Sequence, residues 1–341
     1  MILDFFNKNK EYISCEYLEH GIHFHVEGIY HCCCCFHSDE NNSPVVNSSG
    51  NINIDFKKFI KQKQNDRELF RHGHIIKRCK NCFHLEKKQW DRKNIINLIS
   101  ITANQKCNCD CCYCETHKDK CLYNSIPDLP VYDFIKKMYQ SHIISKDCNI
   151  DFGGGEPTLH FEFEKLIDLL IDITDTRICI YTSGIKYSNA IEKLIKLNRA
   201  NIVISLDSGN AELYRKIKNV NTFDIVSKNI KRYCDVQKYT TELHQVALKY
   251  IILPGINDKP EFINEFLNHA KELNCHAIRT DVERHWYIEN KDNNESIKYI
   301  LQLMKYIAVN AEKMGFQHFF NLTANGVYNN NTDLYNEINI L

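Results

Sequence analysis

Residues 97–114 read NLISITANQKCNCDCCYC. The apolar, β-branched run at 97–103 reads as a strand, and it leads straight into a loop crowded with cysteine. Within that loop Cys107, Cys111 and Cys114 stand in the spacing C-x3-C-x2-C. Three thiolates on one loop can hold three irons of a cubane cluster and leave the fourth open to a substrate or cosubstrate. Soft sulfur ligands suit that chemistry. Cys109 and Cys112 interleave with the motif. On these residues alone, a zinc site is therefore an alternative.

Outward from this stretch the pattern is regular. Further strands read as CNIDFGG (148–154), RICIYTS (177–183), NIVISLD (201–207), QVALKYIIL (245–253) and HAIRTDV (276–282). Helical stretches lie near 131–142, 161–173, 188–198, 222–236, 259–273 and 294–313. In the second of these, Phe163, Leu166, Leu170 and Ile173 recur at helical spacing and would cover a sheet face. Alternating β and α units imply an α/β fold with a parallel sheet, either a curved partial barrel or a doubly wound open sheet.

The strand ends carry further motifs. The second ends in Gly153-Gly154-Gly155-Glu156-Pro157, where glycines permit close backbone approach and a carboxylate can accept from an ammonium. The third ends in Thr182-Ser183-Gly184, the fourth in Ser205-Leu206-Asp207-Ser208, and the fifth in Pro254-Gly255-Ile256-Asn257-Asp258. The sixth places Arg279, Asp281 and Glu283 on alternating positions, where they either face a substrate or pair with one another.

With its aromatic Tyr113 before the third cysteine, the cysteine loop resembles the signature of the radical S-adenosylmethionine (SAM) superfamily. GGGEP resembles that family's GGEP motif, and SLDS is similar to the SLDG segment of peptide-modifying members, with Ser208 in place of glycine. The resemblance covers about residues 94–315. It implies a partial (β/α)6 radical SAM barrel with a [4Fe-4S] cluster on Cys107, Cys111 and Cys114. It further implies SAM contacts from Gly154, Gly155, Glu156, Ser205 and Arg215, with Cys109 and Cys112 as bystanders.

Residues 1–93 read as a smaller Cys/His-rich N-terminal domain, and 316–341 as a C-terminal tail that the pattern leaves unplaced. Eleven of the 17 cysteines fall in three clusters, and two of those precede the core. Cys32-x2-Cys35 and Cys79-x2-Cys82 together offer four thiolates, enough for one metal site. The segment GHIIKRCKNC resembles part of a SPASM or twitch domain, which implies an auxiliary iron–sulfur cluster. Structural zinc and unligated thiols are the alternatives. The nearby histidines read as surface or hydrogen-bonded residues, and Cys15 as scattered.

Lys plus Arg and Asp plus Glu balance at 43 each in 341 residues, which argues against a polyanion-binding role such as nucleic acid. The N-terminus has no signal-peptide pattern and no stretch is apolar enough to span a membrane. The expected location is the cytoplasm. The resemblance implies reductive cleavage of SAM to a 5′-deoxyadenosyl radical, with ferredoxin or flavodoxin as reductant. The substrate is a peptide or protein by analogy with SLDS-type members, or else a small molecule. A zinc- or cluster-binding interaction protein without catalysis is the alternative of a different class.

Overall fold

The computed structural model describes residues 11–32, 44–80, 82, 84–89, 94–114 and 129–337. The chain forms two compact units. The first comprises residues 1–105, 121–155 and 162–176, and the second 106–120, 156–161 and 177–341.

The first unit contains β1 (Glu11–Ser14), α1 (Glu16–His20), β2 (Gly21–His25), β3 (Gly28–Tyr30), α2 (Ile52–Arg71), β4 (Glu86–Gln89), β5 (Ile96–Thr102), α3 (Val131–Gln140), β6 (Ile144–Phe152) and α4 (Phe163–Ile173). Its strands run in the order β6-β5-β2-β3, parallel except for the β2–β3 hairpin, and β1 pairs separately with β4. Thus β2, from the stretch read as a separate N-terminal domain, shares a sheet with the first core strand. Asn51 caps α2 by accepting from the Asn53 and Ile54 amides. In α4, Phe163, Leu166, Ile167, Leu170 and Ile173 are buried, one apolar stripe on one helix face. Phe163 meets Phe152 of β6 edge-on, and Phe134 of α3 meets Phe24 of β2. The even-numbered residues of β2 and β6 therefore face the helices. His23, His25 and Asp151 face the other side.

The second unit contains β7 (Ile178–Thr182), α5 (Asn189–Lys196), β8 (Ala200–Ser205), α6 (Ala211–Lys218), α7 (Phe223–Gln237), β9 (Val246–Ile252), α8 (Pro260–Glu272), β10 (Ala277–Val282), α9 (Arg284–Asn290), α10 (Asn294–Lys313), β11 (Gln317–Phe320), α11 (Leu322–Asn330) and α12 (Thr332–Glu337). Among the described residues its strands are all parallel, in the order β7-β8-β9-β10-β11. The stretch from residue 316, unplaced by pattern, supplies the last of them. Each expected core strand is found within a few residues of its reading. Tyr250 stacks on Phe266 of α8, so Leu248 and Tyr250 face the helices and Ala247, Lys249 and Ile251 face away.

Asn210 caps α6 by accepting from the Leu213 amide, and Asn219 ends it at φ 56°. Ser208 stands where SLDG has glycine, but the glycine this turn requires is the next residue. A Cβ on Gly209 would lie 2.1 Å from the Glu265 carbonyl carbon. Among the described residues, no helix is long and apolar enough to cross a membrane.

Candidate active site

The cysteine loop is stitched to the C-terminal end of α6. The Asp110 amide donates to the Lys218 carbonyl and the Cys112 amide to the Ile217 carbonyl, each at 2.9 Å. Asn219 Nδ2 donates to the Asp110 carboxylate at 2.9 Å. These bonds fix the loop backbone without using a cysteine sulfur.

Inside the loop three sulfurs meet. The Cys109 thiol hydrogen-bonds to both Cys107 and Cys111. That bond lowers Cys107 to about 7 against the opposing effect of burial. It lowers Cys111 to about 6, again against burial and with help from the Lys218 charge. The same bonds raise Cys109. A depressed thiol favours the thiolate, the form that ligates iron or zinc. Cys114 joins through its amide, which donates to the Cys111 carbonyl at 3.0 Å. Cys112 is exposed. The donor set thus fits an iron–sulfur cluster. Among the described residues, no group of three or more His, Cys, Asp or Glu side chains is placed to hold a metal ion.

Glu156 is the second fixed element. Its Oε1 accepts from the Thr158 amide at 3.1 Å, the Thr158 hydroxyl at 2.5 Å and the Thr182 hydroxyl at 2.7 Å. Its Oε2 accepts from the Ser183 amide at 2.6 Å. The Ser183 hydroxyl in turn donates to the Asn108 side chain at 2.9 Å. The Thr182-Ser183-Gly184 turn therefore holds the carboxylate and touches the cysteine loop. Gly154 and Gly155 belong to the first unit. Gly154 has φ 87°, with backbone and side-chain atoms of Thr102 and Asn104 within 3.2 Å of where a Cβ would sit.

Behind the cysteines lies a buried network that sequence reading missed. The Tyr113 hydroxyl donates to Asp207 Oδ2 at 2.6 Å, and Lys218 Nζ donates to the same hydroxyl at 2.7 Å. Lys218 also pairs with Asp207 directly. Lys218 and Asp207 are 2% and 0% exposed, so each charge depends on the other. Burial works against the Lys218 ammonium, but Asp207 and Cys111 outweigh it and raise its pKa. Asp207 Oδ1 accepts from the Ile251 amide at 2.8 Å. Asn257, of the fifth-strand turn, donates to the Asp207 carbonyl at 3.1 Å and accepts from the Leu253 amide at 2.7 Å. Arg215, one turn before Lys218, is exposed and lines a surface cavity of about 700 Å³ with Leu213, Asn219, Ile256 and Phe262. Ser205 ends β8 beside Lys249 of β9.

The sixth-strand acids are occupied by neighbouring helices. Asp281 accepts from Asn321 and from the Thr323 and Ala324 amides at the start of α11. Glu283 caps α9 through the His285 and Trp286 amides. Neither pairs with Arg279.

In the first unit, Cys15, Leu18, Phe70 and Cys79 form one core cluster. Burial pushes the Cys15 thiol up to about 11, with repulsion from Cys32 and Cys82 adding to it. Cys15, Cys32, Cys79 and Cys82 are therefore neighbours. Cys35 lies outside the described residues. Cys15 carries no local spacing signal, and only tertiary packing brings it to the CxxC knuckle. His23 and His25 are buried and hydrogen-bonded, His23 with the Thr102 hydroxyl at 3.1 Å and His25 with the Glu27 amide at 3.3 Å, and burial lowers them to about 3 and about 4.

The Radical SAM superfamily model matches residues 101–267. An uncharacterized protein from Methanocaldococcus jannaschii is 30% identical over 226 residues, covering 66% of this chain and 69% of its own. A probable GTP 3′,8-cyclase from the same organism is 26% identical over 211 residues, covering 60% of this chain and 69% of its own. SuiB from Streptococcus suis, bound to S-adenosylmethionine, superposes with TM-score 0.52 at 14% identity, over 89% of this chain and 60% of its own. Bound to precursor peptide SuiA, it gives TM-score 0.53 at 14% identity, over 87% and 59%. The chain thus spans about 60% of the length of these solved structures. At this identity the likeness concerns the fold, and it agrees with the partial (β/α)6 barrel class expected from the sequence.

Proposed function

The chain belongs to the radical SAM superfamily of enzymes, and on that premise we propose that Cys107, Cys111 and Cys114 hold its [4Fe-4S] cluster. Glu156, Ser205 and Arg215, with the sequence neighbours Gly154 and Gly155, are proposed to bind SAM. When bound, the cluster supplies the electron, received from a reductant such as ferredoxin or flavodoxin, that cleaves SAM to a 5′-deoxyadenosyl radical able to take hydrogen from a substrate.

The observation that carries this reading is the cysteine loop, where Cys107 Sγ accepts from the Cys109 amide at 3.4 Å and the backbone is bound to α6, together with a Glu156 held in place by Thr158, Thr182 and Ser183. The chain's own part is positional. Glu156 offers a fixed carboxylate to the SAM ammonium, so little side-chain freedom is lost on binding. The Tyr113–Asp207–Lys218 network keeps the loop behind the cysteines in place. Cys109 shares its proton with its neighbours and is read as a support rather than a ligand.

A peptide or protein is the first substrate class to test, because the SLDS segment resembles peptide-modifying members and the SuiB fold, solved with a precursor peptide, spans most of this chain. A small molecule is the second reading, favoured by the probable GTP 3′,8-cyclase among the relatives. The N-terminal cysteines are read as an auxiliary cluster or zinc site. The neighbouring Cys15, Cys32, Cys79 and Cys82 support that reading.

The test is anaerobic reconstitution with iron and sulfide, followed by SAM and dithionite. A brown protein that releases 5′-deoxyadenosine is expected. A colourless protein that holds only zinc and leaves SAM intact would sink the proposal.

A further inference from the structure

Lys218 closes α6 directly behind the cysteine loop. The Asp110 and Cys112 amides, on either side of Cys111, donate to the Lys218 and Ile217 carbonyls at 2.9 Å each. Cys111 is thereby pinned against the last turn of the helix. Two residues on, the Tyr113 hydroxyl accepts from Lys218 Nζ at 2.7 Å, and the ammonium stands 5.0 Å from the centre of the same ring. Lys218 is 2% exposed and also pairs with Asp207. Buried and engaged in this way, its ammonium is placed to act on the loop through its field rather than by touching a substrate.

The end of a helix is a poor neighbour for a cluster held by thiolates. The last carbonyls of α6 carry the negative pole of the helix dipole. Three thiolates add negative charge, and one-electron reduction of a cluster adds more. Lys218 sets the opposite charge at that same helix end, away from water, where its field is weakly screened. Asp207 opposes it, but at Cys111 the influence of Lys218 is the larger of the two. The attraction is mutual, since Cys111 and Cys109 both favour the Lys218 ammonium.

We infer that Lys218 sets the reduction potential of the cluster on Cys107, Cys111 and Cys114, holding it less negative than the loop alone would, with Asp207 as the opposing charge that limits the effect. The inference rests on the proposed cluster. Net charge and outer contacts around the sulfurs are what a protein has to tune such a centre. The Lys218–Asp207 pair therefore decides how strong a one-electron reductant this chain needs.

The test is an anaerobic dithionite titration of the reconstituted full chain at neutral pH. It is read on the electron paramagnetic resonance signal that added SAM alters, so that a cluster at the N-terminal cysteines is not counted. Lys218→Met should make reduction about 10-fold less favourable, a midpoint about 59 mV more negative for one electron. Lys218→Arg keeps the charge and should stay near wild type. Asp207→Asn keeps an oxygen for the Ile251 amide but removes the opposing charge, so its midpoint should move the other way. Lys216→Met, an exposed cation of the same helix, should leave the midpoint where it is. A structural role alone would not give shifts of opposite sign. Iron content checks each variant, and if Lys218→Met takes up no iron, the sign of the Asp207→Asn shift decides. A wild-type midpoint in Lys218→Met, or an Asp207→Asn midpoint that fails to rise, overturns the inference and leaves the cluster standing. A wild-type protein with no reducible, SAM-responsive signal would instead overturn the cluster reading, and the inference with it.

Discussion

The Tyr113 hydroxyl donates to the Asp207 carboxylate across 2.6 Å, and that bond joins the cysteine loop to the turn after β8. Asp207 adopts φ 60°, so the turn itself is unusual for a non-glycine residue. The Asp207 side chain holds the Ile251 amide as well, so one carboxylate ties together three segments.

Removal of Lys218 should therefore cost more than removal of the tyrosine hydroxyl. Lys218→Met leaves a buried carboxylate without its cation and should destabilise the fold by about 3–5 kcal/mol. Tyr113→Phe removes one hydrogen bond and should cost about 1–2 kcal/mol. Urea unfolding of the two variants checks the order. A Lys218→Met protein as stable as wild type would mean the pair contributes nothing.

Glu156→Gln keeps the shape of the side chain but presents an amide NH2 to hydroxyl and amide donors. SAM affinity should fall by about 10-fold or more, because a charge-assisted contact to the ammonium is lost. Equilibrium dialysis with labelled SAM measures this. An unchanged dissociation constant would remove Glu156 from the SAM contacts.

Metal content separates the two cysteine sites. Reconstituted wild type should carry about eight irons per chain if both sites hold cubanes, and about four if only the core does. Simultaneous Cys107, Cys111 and Cys114 to Ala substitution should remove the core share. Cys15→Ser should lower only the N-terminal share, whether iron or zinc, and Cys112→Ser should change neither. Equal metal in Cys15→Ser and wild type would return Cys15 to the role of a buried hydrophobe.

Stability should fall on mild acidification because His23 and His25 are held neutral. The unfolded histidine binds a proton near 6.5, while folded His23 does so only near 3. Between those values the unfolded state binds more protons, so stability falls as pH falls. His23 alone should cost about 2 kcal/mol between pH 7 and pH 5. Thermal unfolding of wild type and His23→Gln across that range is the check. Parallel pH profiles for the two proteins would contradict it.

Much of the core was legible because its signals are local. A strand of β-branched residues alternates apolar positions every second residue, and a helix such as α4 repeats them every third and fourth. The cysteine spacing and GGGEP lie within single loops, so they too can be read without a fold. Residues that act through distant partners left no such trace. Cys15 reads as one more scattered cysteine until packing sets it beside Cys79. Lys218 and Arg215 are both cations of α6 with no local signal to tell their surroundings apart, yet one is buried against Asp207 and the other is exposed. Arg279, Asp281 and Glu283 form an alternating trio in sequence, but β10 and the helices after it separate their tasks.

By itself, then, the sequence determined the α/β class, the order of strands and helices in the core, and the loop that presents Cys107, Cys111 and Cys114. Each follows from periodicity or spacing within a few residues. Tertiary structure alone decided which charges are buried and which partners they meet. Burial and pairing depend on strand register and on helices tens of residues away. That is why Lys218, buried against Asp207, is the cation behind the cysteines.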